Sequence, residues 1–394
     1  MSTFDINYDE NSEFASLDVK PSDFNNPDLI EQINDFCSSH PELRTMHISP
    51  SFSCHDYLTR LIGDNFQLHY GYYDRLMFEK IFYDNYDKIE YPEKLFLEIR
   101  NASDYIKSRQ VSFFECDYFP LNECVEMNEK IKLFTKDIRE SELSPFEKSM
   151  ALYVLATHFI DSYKRSSGPV AADIDTESSS IYVLRDDETG YNIQCAGYTD
   201  LFCRMAAECG ISTKTMQIVV EGGNGHEVAV VDIDDTKYGI YGSFICDVRN
   251  GSDFREIIDA MAHSLVNKRK AEGIRTYPYY SYIDLTNFCF SFSDYDTYFR
   301  EETGHQASSI KYEIDTNLID GNMSNIISDE RISVSNMAQA LRQVYGFIDE
   351  SNGRDDGVED VTNFSIHLLE SVRKTIDDGK AKEKESTEKN RAVS

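Results

Sequence analysis

Apolar residues in the first third of the chain recur mostly every three or four positions, which is the spacing of amphipathic helices. The stripes consist of Leu29, Ile30, Ile33 and Cys37; Phe78, Ile81 and Phe82; and Leu95, Leu97, Ile99 and Tyr105. The preceding residues 1–25 are polar and acidic and predict a flexible acidic arm. We therefore predict a helical N-terminal domain over residues 26–142.

Two strong helix signals follow in the middle of the chain. Ser144 and Glu147 bracket a proline in the pattern of a capping box, which predicts that a helix begins there. A second apolar stripe runs from Ala196 to Cys209 and stops at Gly210, a residue suited to ending a helix.

Four short β-like runs come after the second helix. They are 215–220, 226–232, 237–241 and 243–247, and they are rich in β-branched and aromatic residues and bounded by Gly, Asn or Asp. A short strand or turn is also expected at 181–184. A helix followed by hairpins predicts an α+β core over 143–300, in which the helix packs on an antiparallel sheet.

The C-terminal part again has helical periodicity. The apolar positions are Met337, Leu341, Val344 and Ile348, and then Phe364, Leu368, Val372 and Ile376. We predict a helical region over 301–378 and a disordered tail over 379–394, because the tail is a charged segment of low complexity.

Composition limits the classes of function. The 394 residues are 41% hydrophobic and carry a formal charge of −31, which suits a protein with a large core and disfavours nucleic acid and anionic membranes as partners. The sequence shows neither a signal peptide nor an apolar stretch long enough for a transmembrane helix, so a cytoplasmic location is expected. The nine cysteines include no CxxC pair, which predicts reduced thiols and no structural zinc.

Three residues in the core form a pattern typical of nucleophilic catalysis. Cys195 stands at the predicted helix start, where the helix dipole and unpaired N–H groups favour a thiolate and can stabilise an oxyanion. His226 follows a glycine-rich loop and begins a strand, and Asp247 ends a later one. If these strands are neighbours, the carboxylate can orient the imidazole, which can act as base and acid.

Other residues compete for these roles. Asp232 is the rival for orienting the imidazole, while Cys203 and Cys209 lie on the apolar stripe as core thiols. Cys246 should face away from the site because neighbouring strand residues alternate. Gln194 and Gly225, which directly precede the thiol and the imidazole, are additional candidates for contacting the substrate or its oxyanion.

Three segments together resemble the transglutaminase-like superfamily of papain-like cysteine acyltransferases and proteases. The segment QCAGYTDLFCRMAAECGI at 194–211 is similar to its nucleophile helix, GHEVAVV at 225–231 to its histidine strand, and YGIYGSFICD at 238–247 to its aspartate strand. The resemblance covers roughly residues 144–255. It implies a papain-like core in which Cys195, His226 and Asp247 form a catalytic triad.

The implied activity is cysteine-dependent acyl transfer or hydrolysis of a peptide or protein amide through a thioester, without a metal or organic cofactor. The substrate would be a peptide or protein, and the net negative charge favours a basic one. A thiol peptidase with a narrow cleft is one alternative, and a catalytically silent scaffold that binds proteins is another.

Overall fold

The computed structural model of the chain describes residues 4–50, 61–62, 66–69, 72–100, 116–164, 176–177, 180–184, 192–193, 195–219, 225–249, 285, 288–303, 327–352 and 358–393. Helices and mainly antiparallel sheets both occur, which confirms the α+β class. Among these residues, no helix is both long and apolar enough to cross a membrane.

The elements are numbered in chain order. The strands are β1 (Ile6–Asp9), β2 (Phe14–Val19), β3 (Thr45–Pro50), β4 (Leu61–Ile62), β5 (Phe66–His69), β6 (Leu95–Arg100), β7 (Cys116–Pro120), β8 (Thr176–Glu177), β9 (Asn192–Ile193), β10 (Thr213–Val219), β11 (Gly225–Asp235) and β12 (Ile240–Cys246). The helices are α1 (Asp28–Ser39), α2 (Tyr72–Asp84), α3 (Leu121–Glu140), α4 (Pro145–Lys164), α5 (Ser180–Leu184), α6 (Cys195–Glu208), α7 (Phe292–Thr303), α8 (Val334–Asn352) and α9 (Val358–Val393).

The N-terminal sheet has the order β1-β2-β3-β6-β7, with parallel pairing at β2/β3 and β3/β6 and antiparallel pairing at its two ends. Its first hairpin corrects the prediction of a flexible arm. Ala15, Leu17 and Val19 are fully buried on one face, so this segment has the period of two that defines a half-buried strand. The polar residues between them, Ser16 and Asp18, belong to a stretch whose polar and acidic composition obscured that alternation.

The predicted helical N-terminal domain also contains strands, which the prediction did not include. Helices α1 and α2 occur where they were predicted, but the stripe that begins at Leu95 is strand β6. Leu95, Leu97 and Ile99 are spaced by two residues and all three are buried, as expected for one face of a strand. The fourth position of that stripe, Tyr105, lies outside the described residues.

The second sheet is antiparallel throughout, in the order β12-β11-β10-β5-β4. Strands β4 and β5 come from the N-terminal region and extend a sheet whose other strands follow α6. The predicted boundary at residue 142 therefore does not separate this sheet from the N-terminal part of the chain. The two runs predicted at 237–241 and 243–247 are a turn followed by the single strand β12.

The middle of strand β11 is buried on both faces. Ala229, Val231 and Ile233 belong to the larger apolar cluster, which also includes α4 and α6. Val228 and Val230 point the other way, into a second cluster formed largely with α7 and α9. The continuous apolar run in the sequence thus reflects a sheet layer between two layers of helices.

Helix α4 begins with the predicted capping box. The Ser144 backbone N–H donates to the Glu147 carboxylate at 2.8 Å, and the Glu147 N–H donates to the Ser144 hydroxyl at 3.5 Å. We expect Ser144→Ala to lower the free energy of unfolding by about 1 kcal/mol, because one N–H of the first turn loses its acceptor. Chemical denaturation measures this loss. Ser335→Ala, an exposed change in the first turn of α8, is the control, and an equal loss there would contradict the capping argument.

Two further predictions differ from the structure. Residues 181–184 belong to the short helix α5 rather than to a strand or turn. The tail predicted to be disordered is the end of α9, a helix of 36 residues. Its Ala, Lys and Glu have high helix propensity, and Val372 and Ile376 anchor the preceding turns in the second apolar cluster.

Candidate active site

The ends of three elements bring the predicted thiol, imidazole and carboxylate together. Helix α6 begins at Cys195, His226 is the second residue of β11, and Asp247 directly follows β12. Strands β11 and β12 are antiparallel neighbours in a register that pairs Ala229 with Cys246. This register places Asp247 beside Val228, on the strand face that also carries the imidazole of His226.

The carboxylate holds one side of the imidazole ring. His226 Nε2 lies 2.8 Å from Asp247 Oδ2, and the Asp247 side chain is completely buried. The rival Asp232 lies six residues further along β11 and instead accepts hydrogen bonds from Ser212 and Ser243. Asp247, and not Asp232, is therefore the carboxylate in contact with the ring.

The thiol lies at the other side of the ring. The side chains of His226 and Cys195 are hydrogen-bond partners, and with Nε2 turned to the carboxylate we assign Nδ1 to this contact. The sulfur also accepts the backbone N–H of Glu227 at 3.2 Å. Two adjacent residues of β11 thus supply a ring nitrogen and an amide donor to the Cys195 sulfur.

The charge state of the imidazole follows from its neighbours. Burial by itself lowers the pKa of His226, because the charged ring loses water. The negative charges of Asp247 and Cys195 and their hydrogen bonds outweigh burial and raise the pKa to about 10. At neutral pH this arrangement favours the charged, imidazolium form of His226.

A second contact fixes helix α6 against β11. The Thr199 hydroxyl, one turn after Cys195, donates to the Glu227 backbone carbonyl at 3.0 Å. Cys195 is 9% exposed and the His226 side chain 11%, so both retain some accessible surface. The contact of helix and strand therefore sets the relative position of sulfur and ring without sealing them from solvent.

Sequence reasoning missed two residues of this site, both on helix α7. The Tyr295 hydroxyl donates to Asp247 Oδ2 at 2.7 Å, and the Phe299 ring stacks on the His226 ring with centroids 5.9 Å apart. Tyr295 and Phe299 are four residues apart, which places them on one helix face. That spacing was the available signal, but it does not indicate what the face contacts.

The remaining thiols provide a contrast. Burial raises the pKa of Cys37, Cys124, Cys203, Cys209 and Cys289. Cys203 is completely buried, as expected for a core thiol, and Cys209 is partly buried against the same core. Cys246 points into that core, away from Asp247, as predicted, and its sulfur lies 3.9 Å from that of Cys289.

The two additional candidates for contacting the substrate or its oxyanion are Gln194 and Gly225. Gln194 lies outside the described residues, and Gly225 is the first residue of β11, where its backbone pairs with Val219. Within the described part of the chain, no group of three or more His, Cys, Asp or Glu side chains is arranged to hold a metal ion.

A cavity of 330 Å³ lies at the opposite end of α6. Arg204 and Glu208 from α6, with Glu79 from α2 and Ile131 from α3, are among its lining residues. Arg204 is nine residues from Cys195, which corresponds to about 14 Å along the helix. This cavity is therefore separate from the thiol and imidazole.

Comparison with known proteins adds no family to this geometry. No protein-family model matches the chain, and no curated protein or solved structure shows significant similarity to it.

Proposed function

We propose that the protein is a cysteine-dependent acyltransferase or hydrolase that acts on a peptide or protein amide through a thioester, on a papain-like or transglutaminase-like core. The observation that carries this proposal is the line of contacts from the Cys195 thiol through the His226 ring to the Asp247 carboxylate. The order of Cys, His and Asp along the sequence alone would not distinguish such a site from a chance combination. The resemblance of the three segments to the superfamily supports the same reaction.

The proposed reaction has two halves. The Cys195 thiolate attacks the carbonyl carbon of the amide, and the tetrahedral oxyanion is stabilised by N–H groups at the start of α6, including that of Cys195. His226 gives its proton to the leaving amine as the C–N bond breaks, which leaves a thioester and a neutral ring. His226 then takes a proton from water or from an amine, which attacks the thioester and releases Cys195 as the thiolate.

Asp247 keeps the ring in place during both halves. Its contact with Nε2 fixes the tautomer of the neutral ring and stabilises the charged one. The net charge of −31 favours a substrate segment that carries basic residues. No step in this scheme requires a metal or an organic cofactor.

The test uses the full-length protein with a peptide library rich in basic residues and a fluorescent primary amine. Amine incorporation indicates transamidation, new peptide termini indicate a peptidase, and conversion of glutamine to glutamate indicates deamidation. We expect one of these products with the wild type and none with Cys195→Ser. Cys209→Ser removes a partly buried thiol that directly follows α6, and this variant should retain the activity.

The alternative is a silent scaffold that binds proteins. It would give no product in any of the three readouts, and its Cys195 would react with alkylating reagents no faster than the other thiols. That pair of results would reject the proposed function. Product formation that persists in Cys195→Ser would reject the assigned nucleophile.

A further inference from the structure

One oxygen atom of the triad carboxylate accepts two hydrogen bonds. His226 Nε2 lies 2.8 Å from Asp247 Oδ2, and the Tyr295 hydroxyl donates to the same oxygen at 2.7 Å. Both Asp247 and Tyr295 are completely buried, so the hydroxyl rather than solvent provides this second donor. The carboxylate therefore shares its charge between a ring that takes part in the chemistry and a phenol that does not.

Tyr295 is held firmly in this position. The N-terminal turn of α7 is fixed by Asp294, whose carboxylate binds the side chains of Arg331 and Lys380. The segment that leads into α7 is also bonded to β12, because the backbones of Phe290 and Ile245 exchange two hydrogen bonds. One turn after Tyr295, Phe299 covers a face of the His226 ring.

The phenol remains a donor over a wide pH range. Burial, followed by the negative charge of Asp247, raises the pKa of Tyr295 well above its ordinary value. The hydroxyl therefore keeps its proton whenever the imidazole titrates. A neutral donor that binds a buried carboxylate reduces the negative potential that this carboxylate exerts on its other partner.

We propose that Tyr295 is a positioning residue that fixes Asp247 and moderates its attraction for the proton of His226. The inference rests on the proposed function, since a ring that holds its proton too tightly is a poorer acid toward a leaving amine. Without the hydroxyl, Asp247 Oδ2 would lose a donor and attract the proton of His226 more strongly, so the imidazolium would become more stable.

The experiment measures the titration of His226 itself. Nuclear magnetic resonance of the full-length protein with labelled histidine follows the ring, and the His226→Ala spectrum assigns its signal. The Cys195→Ser background brings the titration into a convenient range, because the thiol helps to raise the pKa of the ring. This readout does not depend on activity.

We expect Tyr295→Phe in this background to raise the midpoint of His226 by about 0.5 to 1 pH unit, the size expected when a charged group loses part of a hydrogen bond. The control is Tyr238→Phe, which also removes a phenol that donates to a buried carboxylate, that of Glu147, but at the far end of β11. It should leave the His226 midpoint unchanged. A merely structural role of Tyr295 would lower thermal stability without moving the midpoint.

An unchanged or lowered midpoint in Tyr295→Phe would overturn the inference. If that variant fails to fold, 3-fluorotyrosine at position 295 provides the test, since its more acidic hydroxyl donates more strongly and should lower the midpoint instead. An unchanged or raised midpoint would then overturn it. If the midpoint does not move as expected but the wild type forms product, only the inferred role of Tyr295 is rejected. If the wild type forms none of the products, the proposed function is rejected, whatever the midpoint.

Discussion

Replacement of His226 by alanine is expected to slow the alkylation of Cys195 by iodoacetamide about tenfold at pH 7. Only the thiolate reacts, and an ordinary thiol with a pKa of about 8.5 is roughly 3% ionised at this pH. A neighbouring imidazolium can therefore speed the alkylation of a thiol up to about thirtyfold, and the weaker nucleophilicity of a stabilised thiolate takes back part of this gain. Peptide mass spectrometry after timed labelling measures each cysteine separately.

The same experiment contains its controls. In the wild type, Cys195 should react faster than Cys37, Cys203 and Cys209, whose pKa values are raised by burial. His367→Ala removes an exposed imidazole on α9 and should leave the rate at Cys195 unchanged. An equal rate at Cys195 in wild type and His226→Ala would show that the ring does not activate the thiol.

The pH dependence has a definite sign. The pKa of His226 in the folded protein, about 10, lies above its ordinary value of 6.5, so the charged ring stabilises the fold. This contribution is fully present below pH 6.5 and is lost as the pH rises towards 10. The destabilisation caused by His226→Ala should therefore be larger at pH 6 than at pH 10 in denaturant titrations, and a constant difference would contradict the raised pKa.

Replacement of Arg204 by methionine is expected to lower the free energy of unfolding by about 3–5 kcal/mol. Arg204 lies on α6 and is 5% exposed, and its guanidinium binds the carboxylate of the fully buried Glu79 on α2 through two hydrogen bonds. Asp200 contacts the same guanidinium at 3.0 Å. Removal of Arg204 takes a positive charge away from the buried Glu79 carboxylate and from the nearby Asp200, which costs far more than a lost surface contact.

Helix α2 itself offers a matched control. Lys80 and Asp84 form an ion pair on its surface, with exposed fractions of 59% and 48%, and Asp84→Asn should cost less than about 1 kcal/mol. Denaturant unfolding compares the two changes directly. A loss of similar small size in Arg204→Met would mean that the buried charges are solvated in solution. The double change Arg204→Met with Glu79→Leu should recover part of the loss, since both charges are then absent.

The position of this ion pair matters for the proposed chemistry. It anchors the C-terminal half of α6 to α2, while Thr199 anchors the first turns of α6 to β11. The start of the helix, and with it the Cys195 sulfur, is fixed by these two attachments. We infer that the helix acts as a rigid support for the thiol.

The contrast between two stripes explains which elements could be predicted. The stripe of Leu29, Ile30, Ile33 and Cys37 contains offsets of three and four residues that only a helix satisfies, and α1 buries all four. Leu95, Leu97 and Ile99 have offsets of two, but Leu95 and Ile99 are also four residues apart, which a helix satisfies as well. Period was informative in both cases, but it was assigned incorrectly in the second.

The charged tail shows a different limit. Its composition resembles that of disordered segments, but the same residues are strong helix formers. Val372 and Ile376 pack into the second apolar cluster and so stabilise that part of α9 as a helix. The turns of the charged tail continue the same helix. Composition alone does not reveal such an anchor.

The sequence by itself determined the local parts of the candidate site. A capping box, a helix start at Cys195 and the alternation of strand residues depend on neighbours within a few positions, so they can be read along the chain. Tertiary structure decided the partners. Tyr295 reaches Asp247 across 48 positions and Arg204 reaches Glu79 across 125, and such contacts depend on how whole elements pack. Short-range rules do not specify that packing, because many distant pairs satisfy the same local pattern.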